Sequence, residues 1–226
     1  NDGNKVMGVI SDNQKTNISG VWDTFSGKLL YRLDISPNYI PVSLEYYFKN
    51  GSISFSKDGK KLITSDVNGY ITIYDIETGK KMKEVFSKDY FSSIVSFTDN
   101  DKFIIAGCND GTLKVINVEN NNSVSMLSDK TGNEWLIFDN EGYWDASPNG
   151  GSMVAMVKDL DCWNIDQFAV KNNRPDIILN KAPKPDNTLI THYKNQYLKR
   201  LKKLGLIDSK GNPDEYLTQS DYHVPI

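Results

Sequence analysis

The sequence predicts an all-β fold of four-stranded antiparallel units with a helical tail, and three observations point to it. The first is an internal repeat. Phe55 corresponds to Phe97, Asp58 to Asn100 and Leu62 to Ile104, each at an offset of 42 residues. The same offset joins Gly69 to Gly111, Ile73 to Val115 and Asp75 to Asn117. The second is period-two alternation: Ile53 and Phe55 alternate with Ser52, Ser54 and Ser56, and Ile71 and Ile73 alternate with Thr72 and Tyr74. The third is turn chemistry at regular intervals. Lys57-Asp58-Gly59-Lys60, Val67-Asn68-Gly69 and Glu77-Thr78-Gly79-Lys80 each place a glycine where the chain must reverse.

A period near 42 with several short strands per unit is the pattern of a propeller blade. Asn1 to Met7 aligns with Lys57 to Ile63, so the chain opens at the turn between the first and second strands of a blade. Half a blade is expected at 2–33 and a longer connection at 34–48. Full blades follow at about 50–86 and 92–127, then a last strand set at about 133–158. In that last set Trp135 and Ile137 precede the Asp139-Asn140-Glu141-Gly142 turn, Tyr143 follows it, and Ser152 to Val157 reads as a third strand. The count is about three blades, against the ~4–8 of a closed propeller. Such a chain belongs to a larger propeller or self-associates to cover its strand edges. The domain reading is 1–158 for blades and 159–226 for the tail.

The tail contains an amphipathic helix over 188–204. Ile190, Tyr193, Tyr197, Leu201 and Leu204 form one stripe at helical spacing. Asn187 or Thr188 after Pro185 can cap its start, and Gly205 can end it. Lys194, Lys199, Arg200, Lys202 and Lys203 flank or oppose the stripe. The reading is a helix docked on protein through that stripe, with a solvated charged back.

The run Phe-Ser-Lys-Asp-Gly-Lys-Lys-Leu (55–62) with Asn-Gly-Tyr-Ile-Thr-Ile-Tyr-Asp-Ile-Glu-Thr-Gly-Lys (68–80) resembles a WD-repeat blade. The Trp-Asp pair of that family stands intact as Trp22-Asp23, and becomes Tyr74-Asp75 and Ile116-Asn117 in the next two units. Over about 50–226 the chain also resembles bacterial WD-repeat proteins that carry a caspase-like peptidase domain. The matching stretches are Glu134 to Gly151, Asn173-Arg174-Pro175-Asp176, Tyr197 to Leu206 and His223-Val224-Pro225. This resemblance implies a propeller that presents or regulates a downstream peptidase. No segment here matches the peptidase His/Cys dyad, so its activity is not carried over.

Composition sets the outer limits. The 226 residues are 38% hydrophobic and 24% charged, ordinary for a folded chain, and the net charge of −3 gives no basic field for nucleic acid. Apolar runs fall short of the ~20 residues a membrane helix needs. Two cysteines, Cys108 and Cys162, are no disulfide framework and suit a reducing, cytoplasmic setting. His192 and His223 have no nucleophile motif beside them, so no catalytic residue is assigned. Cys108 reads as a small packed residue with no metal-ligand spacing around it. Trp135, Tyr143, Trp144 and Trp163 read as core and inter-blade packing rather than a ligand surface. The Asn17, Asn50 and Asn121 sequons are discounted in an Asn-rich chain of bacterial character. No cofactor or metal is expected. The functional expectation is a non-enzymatic protein-interaction scaffold. The alternative is a small-ligand or enzymatic propeller with its site at the central channel.

Overall fold

A computed structural model describes residues 3–11, 17–32, 52–65, 69–86, 92–98, 101–158, 160–208, 210 and 212–213. The 34–48 connection lies outside them, as does His223. The chain forms two compact units, Asn1–Asn109 and Asp110–Ile226.

Unit 1 begins with β1 (Lys5–Ser11), β2 (Asn17–Asp23) and β3 (Leu29–Arg32) in one antiparallel sheet. A four-stranded sheet follows: β4 (Ile53–Phe55), β5 (Lys61–Ser65), β6 (Tyr70–Asp75) and β7 (Lys81–Phe86). The hairpin of β8 (Ser92–Phe97) and β9 (Phe103–Cys108) completes it. No helix occurs among the described residues between Ser52 and Leu127.

The first two sheets repeat one register. Lys5 faces Asp23 and Val6 faces Trp22, as Lys61 faces Asp75 and Leu62 faces Tyr74. A bulge interrupts each sheet at the same place, between Val21 and Trp22 and between Ile73 and Tyr74. β1 is therefore the counterpart of β5, as the sequence offset implied.

The turn after the Trp-Asp position is built the same way three times. Asp23 Oδ1 accepts from the Ser26 N–H at 2.7 Å, and Asp75 Oδ1 from the Thr78 N–H at 2.7 Å. In the third unit Asn117 Oδ1 accepts from the Glu119 N–H at 2.8 Å. Four residues beyond each lies a positive φ: Gly27 at 66°, Gly79 at 69° and Asn121 at 60°. Asparagine tolerates this left-handed region better than other side chains that carry a Cβ. Gly79 has a second reason to be glycine. A Cβ there would lie 3.1 Å from the Arg32 carbonyl oxygen.

The hydrogen bonds from Ser26 and Thr78 hold the Asp23 and Asp75 carboxyls below the usual carboxylate range. The stability they contribute is present above the ordinary carboxylate pKa and is lost as pH falls through their depressed folded values. Asp75→Asn keeps an acceptor in place, as Asn117 does. We expect it to change neutral-pH stability little and to flatten part of the acid loss below about pH 4. Denaturant midpoints measured from pH 7 to pH 2 check this.

Val21, Leu62, Tyr74 and Ile76 form a buried cluster joining the first two sheets, with Met7, Leu30, Tyr31 and Phe55 against it. In β6, Ile71, Thr72, Ile73 and Tyr74 are all buried. Both faces of that strand are covered, so alternation marks its two sides without marking one as wet.

In unit 2, β10 (Leu113–Asn117), β11 (Ser123–Ser128), β12 (Trp135–Asp139) and β13 (Trp144–Ala146) are antiparallel neighbours. A 3₁₀ turn at Gly150–Met153 leads to the hairpin of β14 (Ala155–Lys158) and β15 (Asp161–Asn164). Two expectations change here. The third strand begins at Ala155, not Ser152, and β structure runs to Asn164, past the expected end at 158. Met156 pairs with Trp163 across this hairpin, and Met156 is buried with Leu136, Phe138, Trp144 and Ile165. That cross-strand burial holds a strand in the segment expected to open the tail. A second 3₁₀ turn (Ile165–Phe168) precedes α1 (Ala169–Asn172), α2 (Pro175–Asn180) and α3 (Asn187–Lys203).

Asp186 caps α3. Its carboxylate accepts from the Thr188 and Leu189 N–H groups at 2.8 and 3.1 Å, so neither Asn187 nor Thr188 is the cap. Gly205 ends the helix at φ 72°. Leu206 N–H donates to the Leu201 carbonyl and Gly205 N–H to the Lys202 carbonyl, a Schellman ending, and Leu206 packs on Leu201. Of the expected stripe, Tyr197 and Leu201 are buried, Ile190 is half-buried, and Tyr193 and Leu204 are exposed. Docking therefore rests on the C-terminal half of the helix.

Candidate functional site

The densest polar constellation in unit 2 lies where the tail meets the β12–β13 hairpin. Asp139 ends β12 and starts the turn that Gly142 completes at φ 83°. Its Oδ1 accepts from the Glu141 and Tyr143 N–H groups, both at 2.9 Å. Its Oδ2 takes the Lys181 ammonium at 2.7 Å. Lys181 follows the last turn of α2 and also lies 3.4 Å from Glu141. Burial opposes the Lys181 charge, but Asp139 and Glu141 overcome it and raise its pKa above the usual lysine value.

The Trp144 carbonyl is the second anchor. It accepts from the Arg174 N–H at 2.9 Å, and Trp144 forms an isolated parallel bridge with Asn173. The Asn172 side chain donates to the Gly142 carbonyl at 3.0 Å. Arg174 binds Asp176 through two parallel bonds of 2.9 and 2.7 Å and lies 4.0 Å from the Tyr197 ring centre. Arg200 approaches the same ring at 5.4 Å and donates to the Asn173 carbonyl at 2.9 Å. Tyr197 thus packs against two guanidinium groups and ties α3 to the segment before α2. Burial raises the Tyr197 hydroxyl pKa and lowers that of Arg200.

These charges mostly answer one another, so the constellation acts as a clamp. Three buried atoms here have no hydrogen-bond partner among the described residues: Trp144 Nε1, Asn172 Oδ1 and Arg200 Nε. No sequence signal marked Lys181 or Asp139 as a pair, since each reads alone as a surface charge. Arg174 and Asp176 stood in a recognisable run, but their contact with Tyr197 needs the fold.

The other residues singled out in the sequence scatter. Trp144 is buried in the unit 2 core, and Trp135, Tyr143 and Trp163 are half-buried. Trp163 meets Phe168 edge-to-face at 6.3 Å. Cys108 is buried at the end of β9 and Cys162 is exposed on β15; neither is in a disulfide. His192 is exposed on α3 against Tyr193. Ser147 is hydrogen-bonded to Glu134. Among the described residues no group of His, Cys, Asp and Glu is placed to hold a metal, and no helix is long and apolar enough to cross a membrane.

A three-stranded and a four-stranded antiparallel sheet share one register, and each carries an Asp-capped turn after its Trp-Asp position that Asn117 repeats in the third unit. Residues 87–117 match the family model described as WD domain, G-beta repeat. A stretch of 83 residues is 32% identical to anthesis promoting factor 1 of Arabidopsis thaliana, covering 35% of this chain and 25% of that protein. The matched region is thus about a quarter of that relative's length. Among solved structures, the β-propeller domain of Cps50 (Swd1) from Myceliophteria thermophila is similar over 64% of this chain and 48% of its own, at 15% identity and a TM-score of 0.40.

Proposed function

We propose that the chain is a non-enzymatic protein-interaction scaffold whose blade turns contact the partner. One observation carries this reading. The three capped turns share a backbone frame, and two residues after the cap the first displays an aromatic, Phe25, where the other two carry Glu77 and Glu119. Phe25 is 86% exposed on a turn fixed by Asp23. An exposed aromatic held on a rigid turn is suited to anchor specific recognition. In this reading the blades run to Asn164 and the tail follows, in a cytoplasmic protein. The blades present or regulate another domain, of the caspase-like peptidase class carried by the bacterial WD-repeat proteins that residues 50–226 resemble.

Affinity capture from the source organism with the wild-type chain and Phe25→Ser tests the proposal. Phe25 makes little contact with its own chain, so the variant should melt like the parent. A specific protein partner should be retained by wild type and bind at least about tenfold more weakly to Phe25→Ser. Turnover of a peptide, ester or glycoside panel by the purified chain, lost on a point substitution, would overturn the scaffold reading.

A further inference from the structure

Among the described residues of unit 2, exposed apolar side chains meet opposite charge at two places. One is the N-terminal half of α3, which overhangs the docked half. Leu189 is 45% and Tyr193 37% exposed, with Lys194 exposed beside them. α3 bears Lys194, Lys199, Arg200, Lys202 and Lys203 and no acidic residue within Asn187–Lys203. Subtracting its +5 from the overall −3 leaves −8 on the rest of the chain. The other patch is the β14–β15 hairpin. Leu160 at its tip is fully exposed and Val157 is 37% exposed, with exposed Asp161 and Asp166 nearby.

We propose that the α3 overhang of one copy docks on the β14–β15 hairpin of a second copy, Leu189 and Tyr193 meeting Val157 and Leu160, and Lys194 meeting Asp161. A helix–helix pairing of two α3 overhangs would oppose cation to cation, whereas hairpin and overhang complement in both charge and apolarity. A reciprocal two-fold arrangement makes the overhang–hairpin contact twice, leaves neither patch unused and closes the assembly. A lipid surface fits less well. The C-terminal half of the apolar stripe, Tyr197 and Leu201, is already buried on protein, so little of it remains to enter a bilayer. The proposal is independent of the blade-turn reading, because it uses neither Phe25 nor its neighbours.

Light scattering on the 226-residue chain tests it. A dimer is expected at about 50 mM salt, weakened at least about tenfold near 500 mM, where exposed ion pairs are screened. Tyr193→Glu and Leu160→Ser should each weaken dimerisation at least about tenfold without lowering the melting temperature, since both side chains are exposed. Lys194→Glu alone should weaken it, and mixing Lys194→Glu with Asp161→Lys should restore association. A monomer at every concentration up to about 200 µM (an affinity weaker than about 5 kcal/mol) overturns the proposal. So does a dimer indifferent to these substitutions. Binding to anionic vesicles or oligonucleotides that Tyr193→Glu abolishes, with no dimer, also overturns it and assigns the patch to that ligand.

Discussion

Leu201→Asp is expected to release α3 from unit 2 and to cost about 4 kcal/mol. Leu201 is completely buried and packs in a cluster with Tyr197, Val170, Leu206 and Ile207. Truncating such a leucine to alanine alone costs about 2–5 kcal/mol. Aspartate adds the desolvation of a carboxylate with no cation committed to it. The Schellman ending would loosen with it, because Leu206 packs on Leu201. Leu204→Asp is the matched control. It lies on the same helical stripe, yet Leu204 is 52% exposed, so that variant should stay within about 0.5 kcal/mol of the parent. Thermal melts of both, with amide exchange across 187–206, separate the outcomes. Equal melting of Leu201→Asp and wild type would mean that α3 is not docked.

Lys181→Met should be the next most damaging change, at about 3 kcal/mol. It keeps the aliphatic stem and removes the charge, leaving Asp139 with a buried, uncompensated carboxylate. Breaking one side of a buried ion pair costs about 3–5 kcal/mol. The lower end applies because Asp139 keeps two backbone N–H bonds. The pH dependence has a definite sign. Asp139 and Glu141 raise the Lys181 pKa, so the pair stabilises the fold fully below the ordinary lysine pKa of about 10.4. That contribution is lost as pH rises through the elevated folded value. Wild type should therefore lose stability in the alkaline range by more than Lys181→Met does. Urea midpoints from pH 8 to pH 11.5 measure the difference. Parallel alkaline curves for the two proteins would show that the pair contributes nothing.

The blades were legible in the sequence because their determinants are local. A strand needs alternation, a turn needs glycine or asparagine at positive φ, and an Asp at the turn start needs only N–H groups two or three residues ahead. Repetition at 42 residues multiplied each weak signal, and even the replacement of Asp75 by Asn117 left the turn chemistry readable. The start of α3 was misplaced by one or two residues because Asp186, Asn187 and Thr188 are all competent caps. Only the backbone geometry selects the one whose oxygen reaches the Thr188 and Leu189 N–H groups.

Local sequence was enough to specify repeated antiparallel β units with a helical tail, down to the register of their turns. What those elements touch emerged only in the folded chain. Folding buried both faces of β6 and divided one helical stripe into a docked half and an overhanging half. It paired Met156 with Trp163 to extend β structure, and brought Lys181 onto Asp139 from 42 residues away. The physical reason is range. Backbone propensity and turn capping act over two to five residues and are written in the local sequence. Burial and ion pairing depend on which surfaces meet, and no local pattern records that.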